Sequence, residues 1–77
     1  MARHRRTNLP LAPIERIIKE STNMLVSESA AEELRKVLSD VAEELSIDAG
    51  ELAVFAKRKT IKDRDIALAF RNMKKLR

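Results

Sequence analysis

Residues 28–56, with the sequence ESAAEELRKVLSDVAEELSIDAGELAVFA, decide the fold of this 77-residue chain. Apolar side chains recur there at intervals of one, three and four residues, which keeps them on one face of an α-helix. No proline interrupts the run, and Gly50 is the only glycine. The pattern predicts one continuous helix of about 43 Å at 1.5 Å per residue. Its apolar stripe consists of Ala30, Leu34, Val37, Leu38, Val41, Ala42, Leu45, Ala49, Leu52, Ala53 and Ala56.

A second apolar patch on the same helix predicts a partner. Ile47 and Val54 are seven residues apart and lie on the side away from the main stripe. A helix that is apolar on more than one side is usually packed from several directions. The chain has no cysteine, so disulfides are excluded, and its single histidine, His4, cannot build a zinc site alone. Only two aromatic residues are available for a core. A chain this short then needs a second subunit to bury a sufficient core.

Shorter amphipathic segments flank the long helix on both sides. Pro13 suits the first position of a helix, where its missing N–H is not needed, and a last helix is predicted to start near Asp63. Ser27 is the predicted N-cap of the long helix. The apolar positions are Ile14, Ile17 and Ile18 in the first segment, and Ile66, Ala69, Phe70 and Met73 in the last. The predicted class is all-α, with a short, a long and a short helix.

Charge is separated along the chain. Residues 1–26 carry five basic and two acidic side chains. Residues 27–56 carry two basic and eight acidic side chains, and residues 57–77 carry nine basic and two acidic ones. Basic ends around an acidic middle indicate a surface for a polyanion. The alternative is solvated charge that only aids solubility.

Several classes of protein are excluded by what the sequence lacks. No stretch approaches the roughly 18–20 apolar residues of a membrane span, and Pro10 and Pro13 interrupt the segment after the basic N-terminus, unlike a signal peptide. A basic membrane-surface helix is disfavoured because the polar face of the long helix is acidic. We expect no enzyme, cofactor, metal or small-molecule substrate, because neither a Gly-rich phosphate loop nor a nucleophile beside an acid–base pair is present. A soluble, cytoplasmic protein is expected.

Two separated segments resemble those of archaeal histones: LPLAPIERIIK at residues 9–19 and RKTIKDRDI at residues 58–66. The similarity runs from residue 9 to about 75 in the same order. It implies a histone fold over residues 9–77, preceded by a disordered basic tail at residues 1–8. It also implies a handshake dimer in which two long helices cross, and dimers joined through four-helix bundles. The dimer would be a homodimer or a heterodimer with another histone.

The resemblance also implies a function. Archaeal histones are architectural proteins that bind double-stranded DNA without reading its sequence, and they wrap or compact it. The expected products are nucleosome-like particles or extended, hypernucleosome-like arrays of dimers on the chromosome, by the wrapping mechanism of their nucleosomal relatives.

Matching positions supply the expected DNA contacts. Arg16 resembles the first-helix arginine that enters the minor groove, and Lys19 lies one turn further along. Lys59 and Thr60 match second-loop residues that hold phosphates, with Lys62 nearby. The tail residues Arg3, Arg5 and Arg6 are either a flexible arm on DNA or a disordered, solubilising end.

Two further sets of residues are assigned by the same resemblance. Arg58 is either a DNA contact or, as favoured here, the partner of Asp65 in an ion pair that braces the second loop. Leu52, Phe55, Asp65 and Leu68 match the dimer–dimer bundle. Leu68 lies about 200° around its helix from Ile66, on the side away from the core stripe, which favours an interface over an ordinary surface leucine.

Departures from the family pattern leave a second function open. Phe55 replaces a frequent histidine that hydrogen-bonds the position of Asp65, and Leu25 replaces a frequent DNA-contacting arginine. Thr22 and Lys57 replace frequent glycines. The alternative function is therefore a histone-fold subunit of a transcription or chromatin complex with reduced DNA binding. Retention of Arg16 and of the Arg58-Lys59-Thr60 segment favours the DNA-packaging function.

Overall fold

The computed structural model describes residues 9–75, and within this range the chain forms three α-helices and no β-strand. Helix α1 spans Leu11–Thr22, α2 spans Glu28–Phe55 and α3 spans Asp63–Lys75. The predicted all-α order of short, long and short helices is confirmed. The predicted tail at residues 1–8 lies outside the described residues.

The start of α1 differs from the prediction. Pro13 was expected at the first helical position, but the helix begins at Leu11, so this prediction is wrong by two residues. Pro10 occupies the N-cap in extended conformation, with φ −69° and ψ 149°. Pro13 is tolerated at the third position because the N–H groups of the first turn have no acceptor inside the helix.

Both ends of α2 are closed by local hydrogen bonds. Ser27 is the N-cap, as predicted: its Oγ accepts a hydrogen bond from the N–H of Ala30 at 3.1 Å. At the other end, the N–H of Lys57 donates to the carbonyl of Val54 and the N–H of Arg58 donates to that of Ala53, each at 2.8 Å. These two bonds form a Schellman motif, which terminates the helix and turns the chain into the next loop.

The contacts divide the chain into two compact units, Met1–Asp40 and Val41–Arg77, with α2 running through both. In the first unit the buried apolar residues are Ile14 and Ala31. Ala31, which the predicted stripe of α2 omitted, is fully buried, so the choice of Ala30 over Ala31 is wrong. Like Ala30, four other members of that stripe are exposed in the single chain: Val37, Leu38, Ala42 and Ala56. In the second unit the buried apolar residues are Ala49, Ala53 and Ala69.

Large apolar side chains stay accessible in both units. Among the described residues, no large side chain is fully buried. Ile47 and Val54, the predicted second patch of α2, are 52% and 72% exposed. Of the predicted α3 stripe, Ala69 is buried, while Ile66 and Phe70 are exposed. The buried core is therefore one isoleucine and four alanines. Within the described range, no helix has the length and apolar content that a membrane span requires.

Candidate nucleic-acid interface

The loop between α2 and α3 is held by a bidentate ion pair between Arg58 and Asp65. The Nη1 of Arg58 donates to Oδ2 of Asp65 and Nη2 donates to Oδ1, each at 2.8 Å. Nη1 also donates to the carbonyl oxygen of Thr60 at 2.9 Å. The two side chains are 21% and 5% exposed. Two parallel charge-assisted bonds fix orientation as well as distance, so the guanidinium ties the loop to the first turn of α3.

The same carboxylate also caps α3. Oδ2 of Asp65 accepts the backbone N–H of Lys62 at 2.8 Å, and the carbonyl of Lys62 accepts the N–H groups of Asp65 at 2.9 Å and Ile66 at 3.3 Å. The bond from the Lys62 N–H to the carboxylate is one half of a capping box, with Lys62 as the N-cap and Asp65 at the third helical position. The lysine side chain cannot accept a hydrogen bond, so the other half is absent. The hydrogen bonds from Arg58 and from the Lys62 backbone hold the pKa of Asp65 well below its usual range.

The ion pair determines which cations of the loop are available. Both terminal nitrogens of Arg58 donate hydrogen bonds to Asp65 or Thr60, so the main role of this side chain is to hold the loop. Lys59, Thr60 and Lys62 are exposed. The loop thus presents two lysine side chains and a hydroxyl on a backbone that the bonds of Arg58 to Asp65 and Thr60 hold in place.

A second group of basic candidates lies in the first unit. Arg16 and Lys19 are exposed on α1, and both line a shallow groove of about 360 Å³ together with Leu25. The groove is completed by Ala12, Glu15 and Val26. Leu25 is 92% exposed. The groove therefore combines two cations with one carboxylate and a highly accessible apolar side chain.

The chain turns sharply just after these cations. Asn23 follows α1 in the left-handed conformation, with φ 61°, and its N–H donates to the carbonyl of Lys19 at 2.7 Å. Thr22 Oγ1 donates to the carbonyl of Ile18 at 2.7 Å and accepts the N–H of Met24 at 3.1 Å. These bonds end the helix and place Met24 and Leu25 at the exposed start of the first loop.

The residues assigned to a dimer–dimer contact are only partly brought together. Leu52 and Phe55 line one groove between α2 and α3, with Asp48, Glu51, Ala69 and Asn72. Leu68 is exposed but does not line that groove. Phe55 is 87% exposed, whereas the carboxylate of Asp65 is committed to Arg58 and Lys62.

One set of assigned residues lies outside the described range, and one basic residue of the second loop was not assigned. Arg3, Arg5 and Arg6 lie outside the described residues. Lys57 was not assigned as a site residue from the sequence, although it precedes Arg58 and Lys59 in an uninterrupted basic run. That run was the signal that could have identified it. Within residues 9–75, no group of three or more potential metal-ligating side chains is present.

The helix order, the capped long helix and the braced second loop define a histone-fold chain. The chain belongs to the family described as histone-like transcription factor (CBF/NF-Y) and archaeal histone, whose sequence pattern matches residues 7–70. It is 44% identical over 61 residues to a subunit of archaeal histone HAN1 from Thermococcus zilligii, covering 79% of this chain and 91% of that protein. It is 40% identical over 63 residues to probable archaeal histone 3 of Methanocaldococcus jannaschii, covering 82% of this chain and 94% of that protein. The resemblance read from the sequence is confirmed.

The depressed pKa of Asp65 predicts acid-sensitive folding. In the folded chain this pKa lies below the ordinary value of 3.8. Its contribution to stability is therefore complete above that value and is lost as the pH falls toward the folded pKa. We expect the free energy of unfolding to decrease below about pH 4. We expect Asp65→Asn to be less stable than the parent at pH 7 and to lose less on acidification. Urea titrations at constant ionic strength measure both effects.

Asp40→Asn is the matched control, because Asp40 is an exposed aspartate on α2. We expect it to follow the parent's pH dependence. An Asp65→Asn chain as stable as the parent at pH 7 would show that the ion pair does not brace the loop.

Proposed function

We propose that this chain is an architectural DNA-binding protein that dimerises and wraps or compacts double-stranded DNA without reading its sequence. The observation that carries the proposal is the braced second loop. Asp65 engages Arg58, which fixes the backbone that presents Lys59 and Lys62. Membership of the histone family supports this function rather than an enzymatic one, and both relatives named above are archaeal histones.

The chemistry of the exposed groups suits a DNA backbone. Lys59 and Lys62 provide compact positive charges, and Thr60 adds a hydroxyl donor, all of which can contact phosphate oxygens. On α1, Arg16 offers a planar guanidinium of the kind that enters narrow minor grooves, and Lys19 adds a neighbouring charge. Contacts to phosphates position a protein on the duplex but carry no direct sequence information. A set of contacts of this kind favours binding to any duplex, with some preference for DNA that bends easily.

Dimerisation follows from the accessible apolar surface. Ile47 and Val54 on one side of α2, and Val37 and Leu38 elsewhere on it, remain 39–72% exposed in the single chain. Two long helices that cross would bury these side chains against each other. The partner is a second copy of this chain or another histone, and the apolar character of the surface suits both.

Dimers would further join in series through Leu52, Phe55 and Leu68. Phe55 offers an apolar ring where the family frequently has a histidine, so its contact with a neighbouring dimer depends on burial and not on a polar bond. Arrays built in this way would be nucleosome-like particles or extended, hypernucleosome-like filaments. We assign the protein to the chromosome in the cytoplasm. The tail residues Arg3, Arg5 and Arg6 are either an additional arm on the DNA or a solubilising end.

A second candidate function is supported by Leu25. This side chain is 92% exposed at a loop position where the family frequently has an arginine that contacts DNA. An accessible leucine there suits a protein partner better than a phosphate. The chain would then be a protein-interaction subunit of a transcription or chromatin complex, with reduced DNA binding.

DNA binding by the two basic groups predicts a uniform loss of affinity in one double variant. We expect Arg16→Ala combined with Lys59→Ala to weaken binding to duplexes of unrelated sequence by the same factor. The slope of log affinity against log salt should fall by about 0.9 for each phosphate that is no longer neutralised. Fluorescence anisotropy on two duplexes of different sequence, from 50 to 200 mM salt, measures both quantities.

Lys36→Ala is the control, since Lys36 is an exposed cation in the acidic segment, 3.7 Å from Glu33. We expect it to bind as the parent does. A double variant that changed sequence preference would indicate base readout. A parent without salt-dependent DNA binding would favour the protein-interaction function.

Serial joining of dimers predicts a regular nuclease ladder. We expect protein reconstituted on long DNA of mixed sequence to protect fragments at regular length increments. Leu68→Glu should still bind DNA and remain dimeric, but it should protect single short fragments, because a carboxylate cannot be buried in an apolar contact without a partner. A Leu68→Glu chain that unfolded would place Leu68 in the fold of the dimer. A Leu68→Glu chain that kept the ladder would contradict this interface.

A further inference from the structure

The second loop begins with a lysine in an unfavourable backbone conformation. Lys57 has φ 64°, in the left-handed region. In that conformation Cβ lies too close to the following carbonyl oxygen, at a cost that glycine avoids because it has no Cβ. The residue occupies the C′ position of the Schellman motif, with both of its characteristic hydrogen bonds formed at 2.8 Å. Glycine is strongly preferred at this position.

Asn23 provides a comparison within the same chain. It follows α1 and has a similar φ of 61°. Asparagine is one of the side chains that enter the left-handed region readily, because it is short and hydrogen-bonds locally. Lysine has no such property, so the backbone alone does not account for its presence at position 57. Backbone strain of this kind concentrates at functional positions.

The surroundings of Lys57 indicate what its side chain contacts. It is exposed, and among the described residues its ammonium group has no hydrogen-bond or ion-pair partner. It directly precedes Arg58, whose guanidinium is held by Asp65, and Lys59 follows. The Schellman bonds on one side and the ion pair on the other therefore fix the backbone from which the Lys57 side chain extends.

We propose that Lys57 is a further DNA-binding residue, which contacts a phosphate from the left-handed end of α2. This assignment rests on the proposed function and adds one cation per chain to the second loop. A positive charge is thereby supplied at the position where Arg58 is withdrawn into the ion pair. A dimer would carry two such cations.

A purely structural role is the competing explanation. A cation at the C-terminus of a helix interacts favourably with the helix dipole, and the last turn of α2 contains no basic residue. The two roles differ in what a substitution changes. A dipole interaction affects folding alone, whereas binding to a phosphate affects DNA affinity and its salt dependence.

Two variants at this position separate strain from charge. Lys57→Gln removes the charge and keeps a side chain in the left-handed conformation. Lys57→Gly removes the charge and the side chain together. Lys36→Gln is the matched control, because it makes the same charge change at an exposed position in the acidic segment. Affinity for a mixed-sequence duplex is measured from 50 to 200 mM salt, and thermal unfolding is measured without DNA.

We expect both Lys57 variants to bind DNA more weakly and to lower the salt slope by about 0.9 per chain, while Lys36→Gln leaves the slope unchanged. Between 50 and 200 mM salt, the parent's advantage in affinity should shrink roughly 3.5-fold for each phosphate that the variant no longer neutralises, or about 12-fold for a dimer. Lys57→Gly should also unfold at a midpoint roughly 4–8 °C above that of Lys57→Gln, because both variants lack the charge and only glycine relieves the strain.

Other outcomes overturn the assignment. If the parent binds DNA with a steep salt dependence and both Lys57 variants match it, Lys57 serves only the fold and this assignment fails alone. If the parent shows no salt-dependent binding, the proposed function fails together with it. A Lys57→Gly chain no more stable than Lys57→Gln would overturn the strain on which the assignment is built.

Discussion

The small buried core of the single chain is the constraint on which the rest of the structure depends. Its buried apolar residues are Ile14 and four alanines. A buried leucine or isoleucine contributes about 1.5–3 kcal/mol, and a single methylene about 0.8 kcal/mol. Ordering each residue costs about 1.5 kcal/mol in conformational entropy. Within residues 9–75, one buried isoleucine and four buried alanines offset only part of that cost, and the other apolar side chains are at most half-buried in the single chain. We therefore expect the fold to be stabilised by burial of the remaining apolar faces of α2 against a partner.

The Arg58–Asp65 pair is the second organising contact, and one carboxylate serves three purposes in it. It holds the guanidinium, caps α3 through the backbone of Lys62, and closes the loop that carries the exposed lysines. A bidentate pair in a sheltered position restricts geometry more than a single exposed ion pair does. The loop can therefore keep several cations close together without relying on DNA to order it. This arrangement links the packing of the second unit directly to the proposed binding of phosphates.

Much of the fold could be predicted from the sequence, because helical periodicity and capping are local properties. The extent of α2, the N-cap at Ser27 and the start of α3 all follow from them. Two details were wrong for a physical reason. Adjacent alanines at positions 30 and 31 are equally apolar, so periodicity cannot decide which is buried. Pro13 is acceptable anywhere in a first turn, so it does not mark where α1 begins.

The site was less predictable from residues alone. The roles of Arg16, Lys59 and Leu68 came from the resemblance to archaeal histones, and they remain proposals. The left-handed backbone of Lys57 was not foreseen, because a lysine carries no local preference for that conformation. It belongs to the Schellman motif that ends α2. The one signal in the sequence was that Lys57 replaces a frequent glycine, the residue preferred at this position of a Schellman motif.

Equilibrium unfolding of the protein without DNA at several concentrations tests the central claim most directly, with the mass determined by sedimentation at each concentration. If the fold is completed by a partner, the unfolding midpoint rises with protein concentration, and the folded species has twice the mass of one chain. A folded species with the mass of one chain, and a midpoint independent of concentration, would show that the chain is stable alone and would contradict this account.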